Sequence, residues 1–174
     1  IDLGLKDLAI CSDSTVYKNI NKTYMVRKIE KRLKRLQKQV SRKYEKNQKG
    51  KEYVKTKNII KLEKQIQQVH RRLANIRNNY LHQTTTNIVK TKPYRVVIED
   101  LAVSDMMKNK HLSDAIRKQG FSEFRRQLEY KCNFRGIKFV VADRFYPSSK
   151  SCSQCGKIKK DLKLKDRVYK CSCG

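Results

Sequence analysis

Four of the six cysteines, Cys152, Cys155, Cys171 and Cys173, stand near the end of the chain as a C-x-x-C pair and a C-x-C pair separated by residues 156–170. Four thiolates in two close pairs suit a tetrahedral Zn²⁺. A glycine follows each pair, Gly156 and Gly174, and permits the tight backbone turn that such a knuckle needs. With every coordination position taken by protein sulfur the ion has no open site, so its expected role is structural rather than catalytic. The C-x-C pair demands a tighter turn than the commoner C-x-x-C. The competing reading is four free or disulfide-bonded cysteines; without a secretory signal in the chain, metal ligation is favoured over cross-linking.

A second chemistry needs oxygen ligands. Nucleases gather carboxylates from neighbouring strands to hold two Mg²⁺ ions about 4 Å apart, which activate water and stabilise the leaving oxygen. The chain has only 16 acidic residues, so those on apolar core strands stand out. Asp2 lies in the first apolar stretch, IDLGLKDLAI. Glu99 and Asp100 end the run YRVVIED, and Asp143 ends IKFVVAD. From spacing alone, Asp2 reads equally as an exposed residue on an edge hairpin, and Glu99 or Asp100 as an end-of-strand cap. His70, His82 and His111 have no partner pattern and read as structural or incidental. No Gly-rich phosphate loop and no nucleophile elbow is present.

The elements that must carry these residues follow from periodicity. IDLGLKDLAI alternates around Gly4, and VYKNI at 16–20 offers a partner after the turn-forming CSDS, which predicts a β-hairpin. From about Tyr24 the period becomes helical. Ile29, Leu33, Leu36, Val40 and Tyr44 form one series, NQKGKE breaks it, and Ile59, Leu62, Ile66, Val69, Leu73, Ile76 and Tyr80 form another. Alternating steps of three and four make a narrow seam, so a long antiparallel helical hairpin is expected. Such a hairpin is either a solvated spacer or a basic arm along a nucleic-acid backbone. YRVVIED and IKFVVAD read as buried strands, and between them Phe121, Phe124, Leu128 and Cys132 share one face of a helix that Gly136 ends. Strand, helix, strand in that order makes the core α/β with a parallel pair.

Composition narrows the partner. Lys and Arg number 43 against the 16 acidic residues, a formal charge of +27, and the basic residues run through the whole chain. Self-repulsion of that size calls for a polyanion, so nucleic acid is the leading partner. No apolar run approaches a membrane span and no signal peptide opens the chain, so a cytoplasmic location is expected. The first residue is Ile rather than Met, and the chain is read as a fragment.

Taken together, IDLGLKDLAI, VVIEDL, FRRQLEYK, DRFYPSSKSCSQCG and the closing cysteine pair resemble the transposon-encoded TnpB proteins, insertion-sequence transposases with a C-terminal zinc ribbon that are related to type V CRISPR effectors. The resemblance covers essentially the whole chain, in order and spacing. It implies an RNase H-like (RuvC-like) nuclease core interrupted by the helical hairpin, with residues 1–22 and 92–147 as the two parts of the core, 23–91 as the insertion and 148–174 as the zinc ribbon. It implies an RNA-guided DNA endonuclease connected with DNA transposition and recombination, with DNA and a guide RNA as partners. The first catalytic aspartate falls on Asp2 and the catalytic glutamate on Glu99, both as Mg²⁺ ligands, whereas Asp100 and Asp143 are not metal ligands in that pattern. A last catalytic aspartate is expected after the second cysteine pair, and an RNA-gripping region before residue 1. On this reading the chain lacks both ends of the full protein and is weak or inactive alone. The alternatives are a non-catalytic zinc-ribbon transposase remnant that binds nucleic acid through charge, and a basic zinc-ribbon protein of the ribosome, which leaves the strand carboxylates unexplained.

Overall fold

The computed structural model describes residues 1–50, 52–144, 146–147, 150–152, 154–159 and 169–173. The expected alternating run LKLKDRVYK, the turn at Gly174 and part of DRFYPSSK lie largely outside these residues.

The protein is α/β, built of helices and small sheets. The amino-terminal segment holds three strands, β1 (Asp2–Leu3), β2 (Asp7–Ile10) and β3 (Val16–Lys18), paired antiparallel in that order. The sequence pattern predicts a single hairpin here, with residues 1–10 as one arm. Instead the chain turns at once after Leu3, and Asp2 faces Ile10 while Leu3 faces Ala9. Gly4 makes that turn possible: its N–H reaches Leu8 O at 3.3 Å, and a Cβ would stand 3.3 Å from Asp7 O. Apolar alternation continues through the turn, which hides it from a pattern search.

After a single 3₁₀ turn capped by Asn19, α1 (Tyr24–Lys46) and α2 (Lys57–Lys90) follow, each opened by a threonine whose hydroxyl accepts from the third helical N–H. Val26, Ile29, Leu33 and Leu36 of α1 pack against Val69 and Leu73 of α2 in a cluster separate from the main core. Glu30 meets Arg77 and Tyr44 meets Glu63, so the two helices run in opposite directions. A two-residue hairpin, β4 (Gln48–Lys49) with β5 (Glu52–Tyr53), joins them.

The end of α2 belongs to the main core. Leu81, Ile88 and Val89 pack with Val96 and Ile98 of β6 (Arg95–Glu99) and with Phe121, Phe124, Leu128 and Cys132 of α5 (Phe121–Phe134). Two short helices, α3 (Val103–Met107) and α4 (Ser113–Gln119), precede α5. They have no side-chain cap and too few turns for a periodic signal, and the sequence does not announce them. Gly120 ends α4 and starts α5 with φ +71°. β7 (Lys138–Ala142) pairs parallel with β6 in unbroken register, Arg95 opposite Lys138 through Glu99 opposite Ala142. It is half-buried rather than fully buried as its apolar run suggested, because only β6 flanks it among the described residues.

β1 links the two sheets. Successive N–H groups of a strand point to opposite edges, so those of residues two apart share one edge. The amino group of Ile1 donates to Val97 O at 2.7 Å and the N–H of Leu3 to the Glu99 side chain at 2.6 Å, while β2 occupies the other edge. The order in space is therefore β3, β2, β1, β6, β7, with β1 and β6 running in the same direction.

Candidate nuclease centre and cysteine cluster

Glu99 ends β6 with its carboxylate bent back into the strand seam, where Oε1 takes the Leu3 N–H that a backbone carbonyl would otherwise receive. Leu3 is buried and Asp2, on the opposite face of the strand, is exposed. The turn after β1 is held from α4, where the buried Gln119 donates to Gly4 O at 2.8 Å. These contacts bring Asp2 and Glu99 together although 96 residues separate Leu3 from Glu99. Burial first, and then the charge and hydrogen bond of Asp2, push the Glu99 carboxyl above its ordinary pKa, against the opposing pull of the Leu3 N–H. Two carboxylates crowded this way repel each other, and a divalent cation with a preference for oxygen ligands is the natural remedy.

Glu99 opens onto a cleft of about 410 Å³, lined also by Phe121, Ser104, Arg125, Arg126 and Arg144. Asp100 turns away from it to bind two arginines: Arg125 Nη1 donates to Oδ1 at 3.1 Å and Arg144 Nη2 to Oδ2 at 3.0 Å. Asp143 lies with Asp100, Arg125 and Arg144 along a neighbouring cleft and does not line the one at Glu99. The arginine pair is absent from the sequence expectations. FRRQLEYK and DRFYPSSK carry the two residues, but nothing in their spacing says that they meet. The His82 carbonyl accepts from Lys131 Nζ and Thr85 Oγ1, and the His111 N–H donates to Asn109, so these bonds place neither imidazole for chemistry.

Among the described residues, Cys152, Cys155, Cys171 and Cys173 are the one group of three or more potential ligands that converges on a point, with all four sulfurs within 4.8 Å of one another. Cys152 Sγ is 3.5 Å from Cys173 Sγ, and Cys155 Sγ is 3.6 Å from Cys171 Sγ. Four sulfurs about 2.3 Å from a tetrahedral Zn²⁺ stand about 3.8 Å apart, so the set fits a metal such as zinc. The first pair sits on a short antiparallel ladder: Ser151 bridges Ile158, Cys152 N–H donates to Lys157 O at 3.0 Å, and Gly156 at φ +71° lets its N–H return to Cys152 O at 3.0 Å. The backbone N–H groups of Cys155 and Gln154 aim at Cys152 Sγ and lower its pKa to about 6. Cys173 is pushed up to about 12 by the hydrogen bonds of its Cys171, Cys152 and Cys155 neighbours. Full deprotonation of the cluster therefore calls for a cation at its centre. Cys11 and Cys132 stand apart from the cluster as free thiols, and burial raises the pKa of each.

Residues 1–110 match the family model described as "Probable transposase", OrfB_IS605, and residues 121–174 match "Cas12f1-like, TNB domain". A Streptomyces pristinaespiralis protein named "Putative RNA-guided DNA endonuclease" is 36% identical over 174 residues, covering 100% of this chain and 40% of that protein. "Putative RNA-guided DNA endonuclease InsQ" of Escherichia coli (strain K12) is 35% identical over 187 residues, covering 98% of this chain and 43% of its own length. The chain thus spans less than half the length of these curated relatives. With two adjoining family models accounting for nearly all its residues, the chain belongs to the IS605 OrfB family of TnpB-like transposases.

Proposed function

We propose that the chain is the nuclease portion of an RNA-guided DNA endonuclease, with an RNase H-like core formed by residues 1–22 and 92–147, a helical insertion at 23–91 and a zinc ribbon at 148–174. The observation that carries this reading is the meeting of Asp2 and Glu99 from two adjacent strands at the edge of an arginine-lined cleft. The strand order β3, β2, β1, β6, β7, with β1 and β6 in the same direction, supports an RNase H-like sheet. The relatives' names favour DNA as substrate and RNA as guide. No helix among the described residues is long and apolar enough to cross a membrane.

Asp2 and Glu99 fit Mg²⁺, which when bound supplies a polarised water and charge neutralisation at the phosphate. Glu99 offers the oxygen that Leu3 leaves free, and the Leu3 N–H fixes the carboxylate's rotation. Asp2 is exposed at the strand face beside it. The basic surface concentrates the polyanion, with an affinity that falls steeply with salt. The cysteine cluster, saturated by protein sulfur, would hold zinc as a structural ion beside the core.

The test is Mg²⁺-dependent cleavage of single-stranded DNA by this chain and by a version extended through the third carboxylate motif that the family resemblance places beyond residue 174, each with a Glu99→Gln partner. Cleavage that vanishes with Glu99→Gln supports the carboxylate assignment. DNA binding without metal-dependent cleavage by any version would leave a nucleic-acid-binding module.

A further inference from the structure

Asp100 holds two arginines from different parts of the fold, Arg125 of α5 and Arg144 just after β7, one on each carboxylate oxygen. We infer that Arg125 and Arg144, framed by Asp100, form a seat for one phosphodiester of a nucleic-acid strand at the cleft that contains Glu99. The inference deepens the nuclease reading by naming what holds the substrate beside the carboxylate pair.

The donor inventory supports a seat rather than a closed ion pair. The bond to Asp100 uses one nitrogen of each guanidinium, and a guanidinium carries five N–H donors. Both side chains remain nearly half exposed, 44% for Arg125 and 46% for Arg144, so each keeps part of its donor surface open to solvent. Both line the cleft with Glu99. Their neighbour Arg126 is already forked onto Glu123 through Nε and Nη2 at 2.8 Å each.

Charge points the same way. Two guanidiniums brought together repel, and Asp100 offsets one of their two charges. Within the trio of Asp100, Arg125 and Arg144 one positive charge is left, which matches the single negative charge of a phosphodiester. Planar forks are also the geometry that phosphate oxygens accept best. A simpler role for Asp100, an ionic staple fastening the segment before the cysteines to α5, predicts no response of the arginines to nucleic acid.

The experiment uses the whole ¹⁵N-labelled chain and reads the arginine Nε–Hε resonances, assigned by their loss in Arg125→Lys and Arg144→Lys. A short oligo-dT strand is added in EDTA at high salt, where loose binding to the rest of the basic surface is suppressed. The expected result is a saturable shift of both resonances, with affinity reduced about tenfold in Arg144→Ala and the salt slope reduced by about 1 for each arginine removed. A uridine strand titrated in parallel tells whether DNA or RNA takes the seat. Asp100→Asn decides the frame. It raises the net charge by one, so general electrostatics makes binding tighter, whereas loss of the frame weakens it by about tenfold while the rest of the spectrum stays folded. Unshifted arginine resonances, or tighter binding by Asp100→Asn, overturn the proposal. Mn²⁺ broadening around Asp2 and Glu99, lost in Glu99→Gln, is read separately. Its absence would sink the nuclease reading even where the arginines shift, and its presence with silent arginines would sink only the seat.

Discussion

The backbone N–H of Leu3 donates to Glu99 Oε1 at 2.6 Å, and through that bond the strand carrying Asp2 is fixed to the end of the neighbouring strand. Glu99→Gln keeps an acceptor at Oε1 and removes a half-buried charge beside Asp2. In EDTA at neutral pH its melting temperature should equal or exceed that of the wild type, whereas Glu99→Ala, which strands the Leu3 N–H, should cost about 1–2 kcal/mol. Mn²⁺ should stabilise the wild type by about 2.7 kcal/mol at a hundredfold excess over its dissociation constant. It should leave Glu99→Gln unmoved. Equal stabilisation of both by the metal would remove Glu99 from the ligand set.

The same carboxyl gives a pH dependence with a definite sign. Burial, then Asp2, raise its folded-state pKa above the unfolded value, so the folded chain holds the proton more tightly. The stabilisation is complete below the unfolded pKa and is lost as pH rises through the raised folded value. Metal-free wild type should therefore lose stability relative to Glu99→Gln as pH rises through that window, with the difference level above it. Denaturation of both proteins across the acid range checks this, and parallel profiles would refute it.

For the cysteine cluster we expect one zinc per chain, and tetrahedral thiolate bands when Co²⁺ replaces it. Cys152→Ser should lose the metal under mild chelation. Ser151 bridges Ile158 and Tyr169 Oη donates to Lys157 O at 2.7 Å, pairings within the segment that the metal would hold together, so metal removal should unfold it locally. The helical circular dichroism signal should persist. Collapse of that signal on chelation would mean that the core also depends on the metal.

The cysteine pairs were legible because each is made by a local turn, and spacing reports local turns well. The helices α1, α2 and α5 were legible because each carries a sustained apolar stripe, down to Phe124 and Leu128 at the centre of the core. Asp2 and Glu99 could be placed on strands, but their meeting depends on β1 lying between β2 and β6, which no local pattern encodes; the family resemblance supplied it. The turn at Gly4 was hidden by alternation that runs through it, and α3 and α4 by their shortness. Asp100 sits beside Glu99 in sequence yet holds two distant arginines, a relation visible only in three dimensions.

Arg77 shows how the helical pair is anchored. Its guanidinium, only 19% exposed, donates to Glu30 Oε1 and Asn21 Oδ1 at 2.8 Å each, and Lys118 of α4 reaches the same Glu30 oxygen at 3.0 Å. Glu30→Ala would leave Arg77 without a carboxylate partner, facing a Lys118 that keeps Asp114 at 2.7 Å, with little water. We expect a loss of about 1–3 kcal/mol, below the full cost for a buried pair because all three side chains keep some solvent contact. A double-mutant cycle with Arg77→Ala measures the coupling, and coupling near zero would show that the anchor is held by apolar packing instead.

Two glycines separate backbone strain from steric contact. Gly120 and Gly136 both adopt the left-handed conformation, φ +71° and +66°, so alanine at either position costs about 1–2 kcal/mol from the backbone alone. A Cβ at Gly136 meets nothing within 4 Å, whereas at Gly120 it stands 3.2 Å from Leu81 Cδ1, in the buried seam between α2 and α5. Gly120→Ala should therefore be the more destabilising by up to about 1 kcal/mol, since a packed leucine must shift by a few tenths of an ångström. Because Gly120 follows the Gln119 that holds Gly4 O, the same substitution should also weaken Mn²⁺ binding at Asp2 and Glu99. Gly136→Ala, beyond the far end of α5, should leave that binding unchanged. Equal destabilisation by the two variants, with metal affinity unaffected in both, would show that Leu81 yields freely and that α4 does not position the site.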